Sequence, residues 1–381
     1  MQRWKTSVAA ATIGLGALGL AAPALAAPGD KIPNRYICVF KDGAVAKGNV
    51  RAEANRAASN AGGQADKFYE NSIRGFAASM SAQAAENLKR RNPDVAYCEQ
   101  DQEMSVIQSA LEFRELGKPA RGGTTQPAQS IPWGITRVNG GGTAYTGSNV
   151  AWVIDTGIDL DHPDLNVDQV RGRDFIDGDT NPDDLNGHGS HVAGTIGARA
   201  NTIGVIGVSP GVSLVAVRVL DRRGSGSNSG VIQGVDYVAA TGKSGDVANM
   251  SLGGGISAAL DAAVVKAAAG GVRFVLAAGN SSANANNHSP ARVNGTNIFT
   301  VSSFAVGDNW SSFSNFGNPP IDYAEPGSSI LSTYKDGGYA TLSGTSMAAP
   351  HLAGLLVGGT VRTGGPVKGD PDGNPDTIGV R

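Results

Sequence analysis

The sequence predicts a large α/β unit, a parallel sheet with helices on both faces, preceded by a small α+β unit. Two observations predict this class. Beyond about residue 130, β-branched apolar runs alternate with helical stretches almost to the end, the pattern of strands joined by crossover helices. Before that, residues 109–129 turn polar and irregular, with Gly117, Pro119, Gly122, Gly123 and Pro127, which reads as an exposed linker between folded units. The length agrees, because 381 residues at 40% hydrophobic composition can bury one large core and a smaller one. The expected segments are 1–26, 34–106, 107–128 and 129–381.

The first segment carries Arg3 and Lys5, an apolar run over 8–20, and Ala24-Leu25-Ala26. These are the basic, apolar and small-residue regions of a secretory signal peptide. A membrane anchor would need a longer span and a charged stop-transfer segment, so a secreted protein without membrane attachment is expected. The formal net charge of −2 and pI near 6.2 supply no basic field for a nucleic acid.

In the front unit, residues 36–40 read as a strand, 49–61 as a helix and 75–80 as a second strand. Ser81 caps a helix that runs to Arg91. Asn92-Pro93-Asp94 stops that helix, and 95–100 is a final strand. The two cysteines, Cys38 and Cys98, fall in the first and last of these strands; two buried thiols and a disulfide both remain open. In the large unit, the strand runs are 150–154, 214–220, 247–252, 272–278 and 298–302. Helices are expected at about 188–198, 228–240, 256–269 and 345–357. Sites in such folds gather at the carboxyl ends of the strands.

Three segments carry chemistry. Asp155 ends the first strand and is followed by Thr156-Gly157. His188 lies in Asn186-Gly187-His188-Gly189-Ser190-His191, at a helix start. Ser346 lies in Gly344-Thr345-Ser346-Met347-Ala348-Ala349-Pro350-His351, again at the positive end of a helix. These boxes, in the order Asp, His, Ser, resemble those of the subtilisin superfamily, and within it the proteinase K-like branch, over about 132–356. The resemblance implies a secreted serine endopeptidase with Asp155, His188 and Ser346 as its triad. The chemistry of the residues agrees. A serine hydroxyl is a poor nucleophile until a neutral imidazole, held in one tautomer by a carboxylate, accepts its proton. Asn280, in Ala277-Ala278-Gly279-Asn280, is implied as the side-chain donor to the oxyanion.

The resemblance also implies a polypeptide substrate bound as an added strand, between Gly224, Ser225 and Gly226 on one side and Ser251, Leu252, Gly253 and Gly254 on the other. Small residues at Gly253, Gly254, Ala277 and Gly279 leave an open first pocket without fixed charge, so a broad preference for apolar or aromatic residues before the cut is expected. His162, His191, His288 and His351 read as packing or surface groups, since zinc-ligand spacing is absent. By the same resemblance, Asp322 with the carbonyls near Thr296 and Ile298 would hold calcium. The acidic loop with Asp177, Asp179 and Asp183 is either a second calcium site or a solvated loop.

The front unit resembles the family's inhibitory propeptide, a ferredoxin-like α+β domain. That implies neighbouring strands for Cys38 and Cys98, hence a disulfide, and a self-processing precursor whose own propeptide is its partner. Processing is expected between Lys118 and Gln129, and a monomer is expected. The carboxyl end departs from the family, with no apolar helix after about 357. Two rival readings are weaker. An esterase nucleophile elbow around Ser346 would require the serine to come first in the chain, and an inactive binding protein would not need every catalytic position filled.

Overall fold

The computed structural model describes residues 27–107, 114–116, 126–359 and 361–381. Residues 1–26, expected as a signal peptide, and most of the expected linker, including 118–125 of its expected processing region, lie outside these residues. The front domain runs β1 (Lys31–Phe40), α1 (Val50–Asn60), β2 (Gln64–Tyr69), β3 (Gly75–Ser79), α2 (Ala82–Arg91) and β4 (Val95–Val106). Its antiparallel sheet has the order β4-β1-β3-β2, and Ser81 caps α2 through the Ala84 N–H. Three of its details go beyond the sequence reading. β1 begins at Lys31, β2 is a fourth strand, and β4 continues to Val106 instead of stopping at 100. Cys38 and Cys98 face each other across β1 and β4 and are joined by a disulfide.

A short strand, β5 (Arg114–Leu116), precedes the large domain. There follow α3 (Trp133–Arg137), β6 (Ala151–Asp155), β7 (Arg173–Asp174), α4 (His188–Gly197), β8 (Leu214–Arg218), β9 (Ser225–Ser227) and α5 (Asn228–Thr241). The chain continues through β10 (Val247–Met250), β11 (Leu252–Gly254), α6 (Ala258–Ala268), β12 (Arg273–Ala277), β13 (Ile298–Ala305), β14 (Asn309–Trp310) and β15 (Ile321–Pro326). It closes with β16 (Ile330–Tyr334), β17 (Gly338–Leu342), α7 (Thr345–Gly358), β18 (Arg362–Pro366) and β19 (Thr377–Val380). The main sheet has the order β18-β19-β15-β13-β12-β10-β6-β8-β7, parallel except for β18.

Strand alternation divides the core in two. Ala151, Val153, Leu214, Ala216, Val275 and Ala277 face α4 and α7, whereas Trp152, Ile154, Val215, Val217, Phe274 and Leu276 face α5 and α6. The front-domain sheet lays Ile37, Val39, Tyr69, Ile73 and Ala77 onto that second helix pair, and α1 and α2 cover its far side. The expected last helix is present as α7, buried from Thr345 to Val357. The chain beyond it supplies β18 and β19, two strands that extend the main sheet. Among the described residues, no helix is long and apolar enough to cross a membrane.

Candidate active site

Asp155 is the last residue of β6, fully buried, and its Oδ1 accepts from the Thr156 N–H and meets His188 Nδ1, each at 2.7 Å. His188 opens α4 after Gly187, whose φ of +109° suits glycine and whose missing side chain leaves room for the Tyr334 ring. The loop that carries the imidazole is tied by Asp184, which accepts from the Gly187 and Ser190 N–H groups and from the hydroxyls of Thr156 and Ser190. With Nδ1 against a carboxylate, Nδ1 carries the proton in the neutral ring and Nε2 is the free base. His188 Nε2 has no hydrogen-bond partner.

Ser346 is the second residue of α7, wholly buried, and its hydroxyl donates at 3.0 Å to the Ser251 carbonyl rather than to His188. Asn280 follows β12. Its Oδ1 accepts from both the N–H and the hydroxyl of Thr345 at 2.9 Å, which fixes the amide so that Nδ2 points into the cleft. There Nδ2 donates to the carbonyl oxygen of Ile107 at 3.1 Å. Asn315, which was not singled out from sequence, braces the Asn280 loop through the Ser281 and Ala283 N–H groups and the Ala278 carbonyl.

Ile107 belongs to the tail of the front domain. That tail lies as a middle strand between β9 and β11, antiparallel to both: Met104 is opposite Gly226 and Gly254, Ser105 opposite Ser225 and Gly253, and Val106 opposite Leu252. The Val106 N–H donates to the Gly224 carbonyl at 2.9 Å and the Ile107 N–H to the Ser251 carbonyl at 3.3 Å. Two glycines shape the side-chain pockets. A Cβ on Gly253 would stand 2.7 Å from Ile107 Cδ1, and one on Gly254 2.6 Å from the Met104 sulfur. A cavity of about 500 Å3 beside the tail is lined by Gly253, Gly254, Gly279 and Asn280 among others, and also by His288. Ala277 is not in its wall. It points into the α7 side of the core, because alternation along β12 turns it away from the cleft, and its placement in the substrate pocket is corrected accordingly.

The remaining histidines are packing groups, apart from His288 at the cavity wall. His191 Nε2 lies 2.9 Å from the Ile330 carbonyl and burial drops its pKa to about 3; His351 Nδ1 lies 2.8 Å from the Met347 carbonyl with burial dropping it to about 4. His162 Nε2 lies 3.0 Å from the Gly338 carbonyl.

The acidic loop does not converge. Asp177 pairs with Arg218, Asp179 accepts from the Asn181 N–H within its own turn, and Asp183 accepts from the Leu160 N–H. Among the described residues no cluster of three or more acidic, histidine or cysteine side chains is arranged to hold a metal. At Asp322, loss of solvation pushes the carboxyl up to about 6, and the Thr300 N–H donates to it at 2.9 Å.

Acidic groups also fasten the front domain to the catalytic one. Glu99 accepts from the Ala258 and Ala259 N–H groups at the start of α6, and buried Asp101 accepts from the Ser229 N–H at the start of α5, where helix ends favour anions. From the other side, Asp236 on α5 receives the N–H groups of Glu70, Asn71 and Ser72 together with the Asn71 amide and the Ser72 hydroxyl.

Residues 147–357 match the model of the subtilase family. The chain belongs to the subtilase family. Residues 35–106 match a second model, peptidase inhibitor I9, and coincide with the front domain. Among curated relatives, alkaline serine exoprotease A of Vibrio alginolyticus is 46% identical over 77% of this chain and 52% of its own length, so this subtilase spans about half of that relative. Extracellular serine proteinase of Thermus sp. (strain Rt41A) is 38% identical over 85% of this chain and 80% of its own, and proteinase R of Parengyodontium album 36% over 86% and 79%. A crystal structure of a cold adapted subtilisin-like serine proteinase superposes with a TM-score of 0.57 at 43% identity, covering 65% of this chain and 96% of the other.

Proposed function

We propose that this subtilase is a secreted serine endopeptidase made as a self-processing precursor, with Asp155, His188 and Ser346 as its triad and Asn280 in its oxyanion hole. The observation that carries the proposal is the seat of Ile107. A backbone carbonyl of the chain itself rests on the Asn280 amide, at the end of a strand paired on both edges as a peptide substrate would be. The bond this seat prepares for cleavage is Ile107–Gln108, upstream of the 118–129 region expected from the sequence. The Ser346 hydroxyl turns from the Ser251 carbonyl toward His188 Nε2, loses its proton there and attacks the Ile107 carbonyl carbon. Asn280 Nδ2 holds the developing oxyanion, and His188 returns the proton to the leaving Gln108 nitrogen. Water then releases the Ile107 carboxylate from the serine. The front domain remains on α5 and α6 as an inhibitor. Secretion is supported by the sequence of residues 1–26 and by the extracellular relative from Thermus.

The pocket built with Gly253, Gly254 and Gly279 is lined by no Asp, Glu, Lys or Arg side chain, and the enzyme cleaves broadly after apolar and aromatic residues. Calcium belongs at Asp322 with the carbonyls of Thr296 and Ile298. A partly desolvated carboxylate with no basic group acting on it suits a hard cation, whose charge would hold the β13 and β15 ends together. A chelator lowers the melting temperature of Ser346→Ala protein if that site is filled, and leaves it unchanged if it is not.

The deciding experiment is the intact mass of secreted wild type beside Ser346→Ala, with a peptide assay of each. Wild type loses its front domain and cleaves the peptide, whereas the variant stays a full precursor. Equal processing of both, with no hydrolysis by either, rejects the reading.

A further inference from the structure

The Ile107–Gln108 bond is flanked by strand pairings on both sides. Behind it, β4 lies between β9 and β11; ahead of it, β5 forms the third strand of the sheet β16-β17-β5. β5 is antiparallel to β17, with Arg114 opposite Thr341, Glu115 opposite Ala340 and Leu116 opposite Tyr339. β17 ends at Leu342, four residues before Ser346, so the chain leaving the cleft meets this edge at its nucleophile end. Gln126 Nε2 donates to the Gly337 carbonyl, just beyond the opposite end of β17. Without β5, the outer side of β17 is an unpaired strand edge, which readily accepts another strand.

We infer that the β17 edge is a binding site on the leaving-group side of the cleft, which takes the seventh to ninth residues after the scissile bond as an added strand. In the precursor its occupant is Arg114–Leu116. The inference rests on the proposed function and extends it. Hydrolysis breaks the Ile107 carbonyl–Gln108 nitrogen bond, with the hydroxyl of water passing to Ile107 and a proton to the new Gln108 amine. The segment starting at Gln108 remains covalently attached to the catalytic domain and stays on β17. Loss of the front domain therefore opens only the half of the cleft that precedes the cut. The other half opens after a second cut beyond Leu116. A tethered segment works at about millimolar effective concentration, so one with an intrinsic affinity of about 0.1 mM obstructs the edge about ten times as often as not.

The test follows wild-type processing by intact mass and isolates the form that begins at Gln108, freed of its front domain. Two substrates are compared: a peptide p-nitroanilide, which has no residues after the cut, and a peptide with ten such residues. The expected form cleaves the p-nitroanilide as fast as the fully trimmed enzyme and the long peptide about tenfold more slowly. Leu116→Pro, which removes the backbone N–H on the β17 side of β5, opposite Tyr339, restores the long peptide, while Leu116→Ala does not. Equal rates on the long peptide for the Gln108 form and the trimmed enzyme overturn the inference. So does a Leu116→Pro form as slow as wild type, or Ser346-dependent activity that never passes through a Gln108 form. Absence of any Ser346-dependent hydrolysis would instead remove the peptidase reading beneath it.

Discussion

Asp236→Ala isolates the strength of the inhibitory contact from the chemistry of the cleft. The carboxylate lies on α5, nearly buried at the interface, and collects five hydrogen bonds from the turn 70–72, three of them from backbone N–H groups. In the free enzyme the same carboxylate is solvated by water, so the net loss is well below five times a single bond. Removing one partner of a desolvated, hydrogen-bonded charge at an interface costs about 2–4 kcal/mol, which is about 30- to 1000-fold in affinity. Most of this appears as faster dissociation. The assay isolates the self-cleaved complex by gel filtration, dilutes it into a chromogenic peptide and times the appearance of activity. Release should be at least about thirtyfold faster for Asp236→Ala, with kcat/KM of the freed enzyme unchanged. A complex lifetime within threefold of wild type would refute the view that this carboxylate anchors the turn.

Three other outcomes are expected. Asn280→Ala should lower kcat by about 10²–10³ with KM little changed, the loss typical of one oxyanion donor in a subtilisin; peptide hydrolysis by active-site-titrated enzyme checks it, and a loss confined to KM contradicts the assigned role. Gly253→Val should slow cleavage after Ile and Phe by about tenfold or more, since its side chain competes for the Ile107 position; a digest of a peptide library would show the preference moving to Gly and Ala. Asp376, whose carboxyl burial pushes up to about 6, binds its proton more tightly in the folded than in the unfolded state. The sign is therefore a loss of stability as pH rises from about 4 to about 6, worth up to about 2–3 kcal/mol. In a Ser346→Ala background, thermal melts of Asp376→Asn should show a shallower slope than the parent, and a slope equal to that of the parent assigns it to other groups.

The strands and helices that build the large domain were legible because each is a long run of one period. Residues 150–154, 214–217 and 274–278 are apolar on both sides, as strands covered on two faces must be. What stayed hidden was short or polar. β2 reads Gln-Ala-Asp-Lys-Phe-Tyr, and its partner β3, not its own pattern, makes it a strand. β18 and β19 are rich in glycine, and their pairing on β15 is a tertiary matter.

The candidate site divides in the same way. Asp155, His188, Ser346 and Asn280 stand in distinctive local sequence at element ends, so their boxes could be read directly. The seat of Ile107 could not, because Glu103-Met104-Ser105-Val106 carries no turn or cap signal and becomes a strand only between β9 and β11. Asp236 was equally silent as one acid on a helix, its role set by a turn some 165 residues earlier in the chain. The acidic loop left two readings open in the sequence, and in the structure each of its carboxylates has its own separate partner.

The tail in the cleft also constrains how this enzyme can evolve. Met104 and Ile107 lie against Gly254 and Gly253, so the pockets that choose foreign substrates are shaped by a sequence inherited on the same gene. Under the proposed self-cleavage, a mutation that narrows a pocket penalises the enzyme's own release before any outside protein is encountered. Under that proposal specificity can drift only as far as the tail drifts with it, and paired substitutions at these positions are the expected trace of a change in preference.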